Sequence, residues 1–374
     1  MRIVLALLLI AAAAGALVFL ADVEQGPERS PAEATAAIEG AQTPAPEFGT
    51  RPQQTVIPQR AVDTDELPNI TIDPHAGADE PLPYYRIAKD TYMVYGNVAV
   101  LDENNRGLNG NAGFVVTPEG VVVIDALGTP KLGQRLIATI GAATETPITH
   151  LILTHNHPDH AYGASAFRSL EGVSILAHAG TLEYLNSRTF QESVAYRREL
   201  LPEDMEDFQA VRPDRLIGGE RFTRYRLTVG GQHFDIYNVG QHHSYGDLVV
   251  HQVEQDILWI SDLAFNNRVT YMADGHSDQI LEGQEWLLQN FSDAKLMVPG
   301  HGSAQTPPFA MVQETHAYVQ RLRKQMAAAI DEGLGLNEAV RRARFPEWED
   351  VPLYGHNQRP NAHFVYLEME EALF

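Results

Sequence analysis

The stretch LTHNHPDHAYG, residues 153–163, places His155, His157, Asp159 and His160 close together in the chain. It overlaps the end of the apolar run HLILT, which is typical of a strand. Two histidines that are one residue apart, just beyond a strand, can point to the same side and bind one ion. Asp159 and His160 follow on the far side of the turn. The pattern therefore predicts a metal site with room for a second ion.

Further candidate ligands follow other strand-like runs downstream. His242 and His243 come after DIYNVG, Asp262 comes after DILWIS, and His301 comes after KLMVPG. The chain has no cysteine, so its metal ligands must be the nitrogen and oxygen atoms of His, Asp and Glu. Unrelated core histidines would not recur at strand ends in this way. The repetition indicates that the fold collects these residues at one site.

These residues resemble the signature of the metallo-β-lactamase fold superfamily. That signature is His-x-His-x-Asp-His, then Gly-x-x-His before Gly-Asp, then an aspartate that ends a strand, then a histidine between two glycines. Its counterpart here covers about residues 84–304. The resemblance implies an α/β fold, a four-layer αββα sandwich with the metal ions at one edge, followed by C-terminal helices.

The resemblance also implies which residues bind each ion. The implied ligands are His155, His157 and His243 for the first zinc, Asp159, His160 and His301 for the second, and Asp262 as the bridge. Asp125, in VVVIDAL, matches the aspartate that braces the metal loops in the family. The register of Gly240-x-x-His-Ser-x-Gly-Asp selects His243 over His242, which leaves His242 to support the site or to pack beside it.

The N-terminus has the character of a targeting segment. Arg2 is followed by an uncharged apolar run from Ile3 to Ala21, about 19 residues long and near the length that crosses a bilayer. Residues 1–21 are therefore predicted to be a signal peptide, cleaved near Ala14–Gly15–Ala16, or an uncleaved membrane anchor. Both alternatives place the rest of the chain in the periplasm or another extracytoplasmic space, with membrane contact only through this segment.

The remaining chain divides into three predicted regions. Residues 22–83 are rich in Pro, Ala and Thr without apolar periodicity, which predicts a disordered linker. Residues 84–305 form the metallo-β-lactamase-like domain, in which residues 181–214 are a helical insert near the cleft. Residues 306–374 form a C-terminal helical extension. Four residues of the insert either line a substrate pocket or pack against one another: Tyr184, Phe190, Tyr196 and Met205.

The chemistry that this site implies is hydrolysis. Two ions that share a carboxylate lower the pKa of a bridging water, and the resulting hydroxide attacks an electrophilic centre, with Asp159 orienting it. The clinical β-lactamases of the superfamily lack an aspartate at the position of Asp262, whereas glyoxalase II-type thioesterases and lactonases have one. The sequence therefore predicts a di-zinc hydrolase of a small ester, thioester or lactone.

Two alternative functions stay open. One is a β-lactamase-like amide hydrolase, and the other is a mono-iron oxidoreductase similar to the persulfide dioxygenases, so iron is a possible metal. The C-terminal tail resembles that of a periplasmic branch associated with sulfur-oxidation and quinoprotein systems. Arg268 either binds an anionic group of a small-molecule substrate or is solvated. The net charge of −22 (27 basic and 49 acidic residues) disfavours nucleic acid as a partner.

Overall fold

The computed structural model describes residues 67–272 and 274–373 of the 374-residue chain. The predicted signal peptide or membrane anchor at residues 1–21 lies outside the described residues, and so does the predicted linker up to residue 66. Among the helices that are described, none has the length and hydropathy that a membrane span requires.

The first sheet has seven strands. They are β1 (Tyr85–Ala88), β2 (Thr91–Val94), β3 (Ala112–Thr117), β4 (Gly120–Ile124), β5 (Ile148–Ile152), β6 (Ser174–His178) and β7 (Arg215–Ile217). They lie in chain order, antiparallel from β1 to β4 and parallel from β4 to β7. Thr117 pairs with Gly120, so a tight turn joins β3 to β4 where the Pro118–Gly120 sequence predicts one.

The second sheet has five strands. They are β8 (Arg224–Val229), β9 (Gln232–Gly240), β10 (Asp247–Gln252), β11 (Ile257–Ser261) and β12 (Leu296–Pro299). Strands β8 to β11 are antiparallel, and β12 pairs in parallel with β11 at the edge. Gly230 and Gly231 form the turn between β8 and β9 with φ values of 55° and 76°, a conformation that glycine adopts without steric cost.

Nine α-helices cover the sheets and form the C-terminal region of the described chain. They are α1 (Pro130–Ala143), α2 (Pro158–Ala161), α3 (Ala164–Phe167), α4 (Thr181–Asn186), α5 (Arg188–Leu200), α6 (Ser277–Phe291), α7 (Ala310–Asp331), α8 (Leu336–Arg342) and α9 (Tyr354–Glu371). A 3-10 helix spans Pro346–Trp348. Local sequence explains why α1 forms. The Thr129 side chain caps its first turn, and Leu132, Leu136 and Ile140 recur on its buried face.

The core lies in three apolar layers between four layers of secondary structure. Adjacent residues of β3 point to opposite faces: Val115 joins Phe234 and Trp259 between the two sheets, and Phe114 faces α1. On the far side of the second sheet, Leu287 of α6 packs in another apolar cluster. The predicted αββα sandwich with C-terminal helices is therefore confirmed. The helices α7, α8 and α9 share an apolar cluster of their own.

The described end of the predicted linker belongs to the folded domain instead. Residues 67–83 form no helix or strand, yet Ile72 and Leu82 are buried in the apolar layer that α1 covers. Backbone and side-chain hydrogen bonds hold the segment, from Ile72 N to Asn104 O and from Leu82 N to Thr139 Oγ1. Two buried apolar residues and these hydrogen bonds fix the stretch, although it lacks the periodicity by which a sequence predicts a helix or strand.

Candidate metal centre

Strand ends position most of the candidate ligands. Strand β5 is followed by the turn with His155, β9 by His243, β11 by Asp262 and β12 by His301. Because the two sheets pack face to face, these ends meet at one edge of the sandwich. Ser261, the last residue of β11, has a φ of 47°, and left-handed backbone at residues other than glycine is concentrated at functional sites.

The first ligand group consists of His155, His157, His243 and Asp262, whose ligand atoms all lie within 4.8 Å of one another. The ring centroids of His157 and His243 are 4.5 Å apart, and those of His155 and His157 are 4.8 Å apart. Three imidazoles and one carboxylate facing a common point match the ligand number and type of a tetrahedral zinc site.

The second ligand group consists of Asp159, His160 and His301, whose ligand atoms also lie within 4.8 Å of one another. The Nε2 atoms of His160 and His301 are 3.4 Å apart, and Asp159 Oδ2 is 3.4 Å from His301 Nε2. The Asp159 side chain is 19% exposed, more than any of the other six, so its carboxylate faces the solvent side of the centre.

Asp262 connects the two groups. Its Oδ2 atom is 3.0 Å from His243 Nε2 and 3.3 Å from His301 Nε2, and its Oδ1 atom is 3.5 Å from His160 Nε2. One buried carboxylate therefore reaches histidines of both groups. This is the position that a bridging ligand would occupy.

Outer hydrogen bonds fix the orientation of three histidine rings. Asp125 Oδ2 lies 2.9 Å from His160 Nδ1, and the carbonyl oxygen of Asn109 lies 2.8 Å from His301 Nδ1. Ser261 Oγ lies 3.1 Å from His155 Nδ1. Each contact engages Nδ1 and leaves Nε2 directed at the centre, which is how such partners select the nitrogen that binds a metal. Asp125 thus lies where the resemblance places a bracing residue.

Asp274 is a site residue that the sequence analysis missed. Its Oδ2 atom is 3.0 Å from His157 Nε2, so His157 has Nδ1 left for a metal, unlike the three rings described above. Burial alone would lower the pKa of His157, but the hydrogen bond and charge of Asp274 raise it. Asp274 lies between β11 and α6 rather than directly after a strand, and the nearby His276 and Asp278 belong to neither ligand group, so the sequence did not single out Asp274 as a partner of His157.

Replacing Asp274 with alanine is expected to weaken metal binding by the first ligand group about 10- to 100-fold, the usual cost of removing an outer partner of a metal-binding histidine. Competition with a chromogenic chelator would measure the two affinities. Asp278→Ala is the matched control, because Asp278 is an exposed aspartate in the first turn of α6. Unchanged affinity in Asp274→Ala would contradict the orienting role.

His242 and Arg268 lie outside the two ligand groups. His242 is fully buried outside both ligand groups, and a Cβ on Gly283 would lie 2.6 Å from its ring, so it packs against α6. Burial lowers the pKa of His242 to about 3. Arg268 is partly buried rather than solvated: its guanidinium lies 5.1 Å from the centroid of the Phe265 ring, and its buried Nε has no hydrogen-bond partner among the described residues.

The helical insert packs mostly on itself. Tyr184, Phe190 and Met205 pack in one cluster with Tyr162, and Tyr196 is 56% exposed. Tyr184 and Phe190 line a cavity of only about 20 Å³ beside Asn156, and none of the candidate metal ligands lines it. Helices α4 and α5 end at Leu200, and the rest of residues 181–214 lacks helix. A buried ion pair between Arg106 and Asp204 fixes the insert to the loop before β3.

The electrostatics of the centre favour a bound cation. Burial alone would raise the pKa of Asp262, but His301 and His160 hold it well below its ordinary value. Burial alone would lower the pKa of His160, but the Asp262, Asp159 and Asp125 carboxylates raise it to about 10. A metal ion can replace the proton that these carboxylates would otherwise retain on His160.

The donor set fits a metal on further grounds. His155 Nε2 and Asp262 Oδ1 are buried and have no hydrogen-bond partner among the described residues, and such atoms are costly unless a ligand or ion engages them. The Nε2 atoms of His160 and His301 face each other, and a cation between two imidazole lone pairs satisfies both. Nitrogen and oxygen donors of this kind suit zinc and also iron.

Comparison with known proteins gives one family match. The profile of the family described as "Metallo-beta-lactamase superfamily" matches residues 105–301. Among curated proteins, the metallo-beta-lactamase IND-1 of Chryseobacterium indologenes is 24% identical over 216 residues, which cover 57% of this chain and 79% of the relative.

Solved structures share the fold. The sec-alkylsulfatase Pisa1 from Pseudomonas sp. superposes with a TM-score of 0.61 at 16% identity, covering 76% of this chain and 49% of that enzyme. A metallo-beta-lactamase from Pontibacter korlensis superposes with a TM-score of 0.51 at 20% identity, covering 64% of this chain and 99% of the other. This chain thus spans about half the length of the alkylsulfatase and nearly all of the shorter enzyme.

Proposed function

We propose, on the premise that this chain belongs to the metallo-beta-lactamase superfamily, that it is a di-zinc hydrolase of a small carboxylic ester, thioester or lactone. One observation carries the proposal. The Asp262 carboxylate lies 3.0 Å from His243 and 3.5 Å from His160, so it reaches both ligand groups. A shared carboxylate is the arrangement that two-metal hydrolytic sites use.

Each ion would have its own set of residues, with Asp262 common to both. The first set is His155, His157 and His243, and the second is Asp159, His160 and His301. When bound, zinc supplies a nucleophilic water of lowered pKa and polarises the scissile carbonyl. The proposed reaction uses no cysteine or activated serine as a nucleophile. The side chains of the chain instead bind the ions, orient the substrate and water, and hold protons.

Asp159 is the residue proposed to orient the attacking water. Its carboxylate is the most exposed of the seven side chains, and it can accept a hydrogen bond from water in the cleft. Burial would raise the pKa of Asp159, but the charges of His160, His301 and Arg197 lower it, so the group stays ionised at neutral pH. An ionised acceptor holds the water in one orientation, which is the role proposed for Asp159.

Arg268 is proposed to bind an anionic group of the substrate. Burial lowers the pKa of Arg268, and the nearby charges of Asp262 and Asp159 oppose this lowering. It forms no ion pair within the part of the chain that the structure describes. A partly buried guanidinium without a paired carboxylate is costly, and a substrate carboxylate or similar anion would offset that cost.

Arg268→Met is expected to raise KM for an anionic ester about 10- to 100-fold, which is the effect of losing one charge-assisted hydrogen bond. The KM for a neutral ester of the same size should change much less. Steady-state kinetics on the substrate pair would test this, with Arg268→Lys as the variant that retains the charge. An equal effect on both substrates would show that Arg268 only supports the fold.

The metal and reaction class are tested together. Elemental analysis of the full chain, purified without added metal, comes first, followed by assays on a thioester, a lactone, a cephalosporin and an alkyl sulfate. We expect two zinc ions per chain and hydrolysis of the thioester or lactone. One iron per chain, with oxygen uptake on a persulfide, would overturn the hydrolase. Cleavage of the cephalosporin or the alkyl sulfate alone would overturn the ester assignment.

The compartment and partners are part of the same proposal. We infer from the apolar run between Ile3 and Ala21 that the hydrolase acts outside the cytoplasm on a small molecule, and from the net charge of −22 that nucleic acid is not its partner.

A further inference from the structure

The segment that carries Asp274 lies between the metal centre and the C-terminal extension. It comprises residues 269–272 and 274–276, which form no helix or strand and precede α6, and we call it the Asp274 loop. Its Asp274 Oδ2 atom is 3.0 Å from His157 Nε2. A backbone without regular structure needs partners from elsewhere in the fold for its buried donors and acceptors. The partners of this loop therefore show what fixes the position of Asp274.

Two asparagines of α9 bind the backbone of the first half of the loop. Asn357 Nδ2 donates to Val269 O at 2.8 Å, and Asn361 Nδ2 donates to Thr270 O at 2.8 Å. Asn361 Oδ1 accepts from Met272 N at 3.1 Å. Asn357 is 2% exposed and Asn361 is 0% exposed. Because breaking these hydrogen bonds would leave buried polar groups unpaired, the two amides hold this backbone in one position.

The apolar side chains of the same half belong to the core of the extension. Val269 and Met272 are buried in the apolar cluster that α7, α8 and α9 share, together with Tyr318 and Val365. Val269 N also donates to Pro352 O at 2.9 Å. The first half of the Asp274 loop is therefore packed as part of the C-terminal extension.

Helix α9 also binds the chain directly after the loop. Ser277, the first residue of α6, donates its backbone N–H to the carboxylate of Glu368, with both oxygens at 3.1 Å. The guanidinium of Arg323 on α7 lies 3.2 Å from the same carboxylate. Asp274 thus lies between two attachments to one helix.

The opposite side of the loop contacts the metal centre. A Cβ on Gly275 would lie 2.2 Å from His242 O and 2.7 Å from His243 Cα, so the loop packs directly against the backbone of a candidate ligand. His276 N donates to Gln241 O at 3.1 Å. A displacement of the loop by α9 would therefore be felt at the first ligand group, through Asp274 and through these backbone contacts.

We propose that α9 is a positioning element of the metal centre. Asn361 and Glu368 hold the two ends of the Asp274 loop, so that Asp274 keeps the His157 ring oriented for the first ion. Partners beyond the ligands orient metal-binding histidines in this way, and here the partner is itself fixed by the C-terminal extension. The inference rests on metal binding by the first ligand group and not on which bond the hydrolase cleaves.

A double-mutant cycle with Asp274 tests the role of Asn361. Asn361→Leu should weaken Zn²⁺ binding by the first ligand group about tenfold, the effect of disturbing an outer partner of a metal-binding histidine. In the Asp274→Ala background, Asn361→Leu should change the Zn²⁺ affinity less than about twofold, because the group through which it acts is gone. Chelator competition on the full chain measures the affinities. Equal effects in both backgrounds, or no effect in either, would overturn the proposal.

Glu368 tests the other end of the loop and covers the case in which Asn361→Leu does not fold. Its side chain is 24% exposed, so Glu368→Ala leaves the apolar cluster intact. Glu368→Ala should weaken Zn²⁺ binding, and this effect too should disappear in the Asp274→Ala background. Glu368→Gln retains an acceptor for the Ser277 N–H and should keep most of the affinity. Unchanged Zn²⁺ affinity in folded Glu368→Ala would overturn the proposal.

Tyr366→Phe is the control for general loosening of α9. It removes a hydrogen bond from the Tyr366 hydroxyl to Leu334 O, away from the Asp274 loop. We expect its Zn²⁺ affinity to equal that of the wild-type chain. A loss as large as that in Asn361→Leu would show that any weakening of the extension disturbs the centre, and would overturn the specific role of the loop contacts.

Metal binding and hydrolysis together separate this inference from the proposed function. If the cycle shows coupling but no thioester or lactone is cleaved, the proposed function fails and the positioning role stands. If an ester is cleaved but Asn361→Leu and Asp274→Ala act independently, the positioning role fails and the hydrolase stands. A wild-type chain that binds no Zn²⁺ would overturn both.

Discussion

Replacing Asp262 with alanine is expected to abolish hydrolysis and to deprive both ligand groups of their metal. The carboxylate lies 3.0 Å from His243 Nε2 and 3.3 Å from His301 Nε2, so a single substitution removes a ligand from each group. Loss of an outer partner costs about 10- to 100-fold in metal affinity, and loss of the shared ligand should cost more than about 100-fold.

Two measurements on Asp262→Ala separate the outcomes. Elemental analysis reports how many ions are retained, and kcat/KM on the best ester reports the activity. Asp293→Ala is the matched control, because Asp293 is an exposed aspartate before β12 and outside both ligand groups. Retention of two ions with full activity in Asp262→Ala would refute the bridging assignment. Loss of one ion only would restrict Asp262 to a single group.

Chelation of the metal is expected to lower the thermal stability of the protein as well as its activity. An ion that binds only the folded state at about 1,000 times its Kd stabilises that state by about 4 kcal/mol. For a domain of this size the loss corresponds to a fall in Tm of about 6 °C. The physical reason is the charge of the centre, where Asp262 and Asp159 are held ionised beside buried imidazoles.

Thermal unfolding before and after chelation, and after zinc is restored, would check this prediction. The Asp262→Ala variant provides an internal control, because chelation should have little further effect once the shared ligand is gone. An unchanged Tm in the wild-type chain would show that no ion at the centre stabilises the fold. An equal fall in the variant would show that the chelator acts elsewhere.

Local sequence was sufficient for several elements. Helix α1 begins after Thr129, whose side chain caps it, and its apolar residues keep helical spacing. The turn between β3 and β4 follows from Pro118 and Gly120. In both cases the determining interactions join residues a few positions apart, so a short stretch of sequence is enough to predict the element.

Contacts between residues that are distant in the chain could not be predicted in this way. Ile72 and Leu82 are buried without any periodic pattern around them, because their partners lie on α1 and the first sheet. The insert residues Tyr184 and Met205 pack in one buried cluster with Tyr162, which precedes the insert in the chain. Whether a side chain is buried depends on which distant parts of the chain pack against it.

The sequence by itself determined the candidate ligands and the fold class, because the histidine and aspartate spacings and the strand patterns are local. The tertiary structure alone decided how they combine. It brings His160 and His301 together across 141 positions and places Asp262 between the two groups. It also pairs Asp274 with His157 across 117 positions. Such contacts depend on how two sheets pack, and no short pattern of residues encodes the partner of a single loop carboxylate.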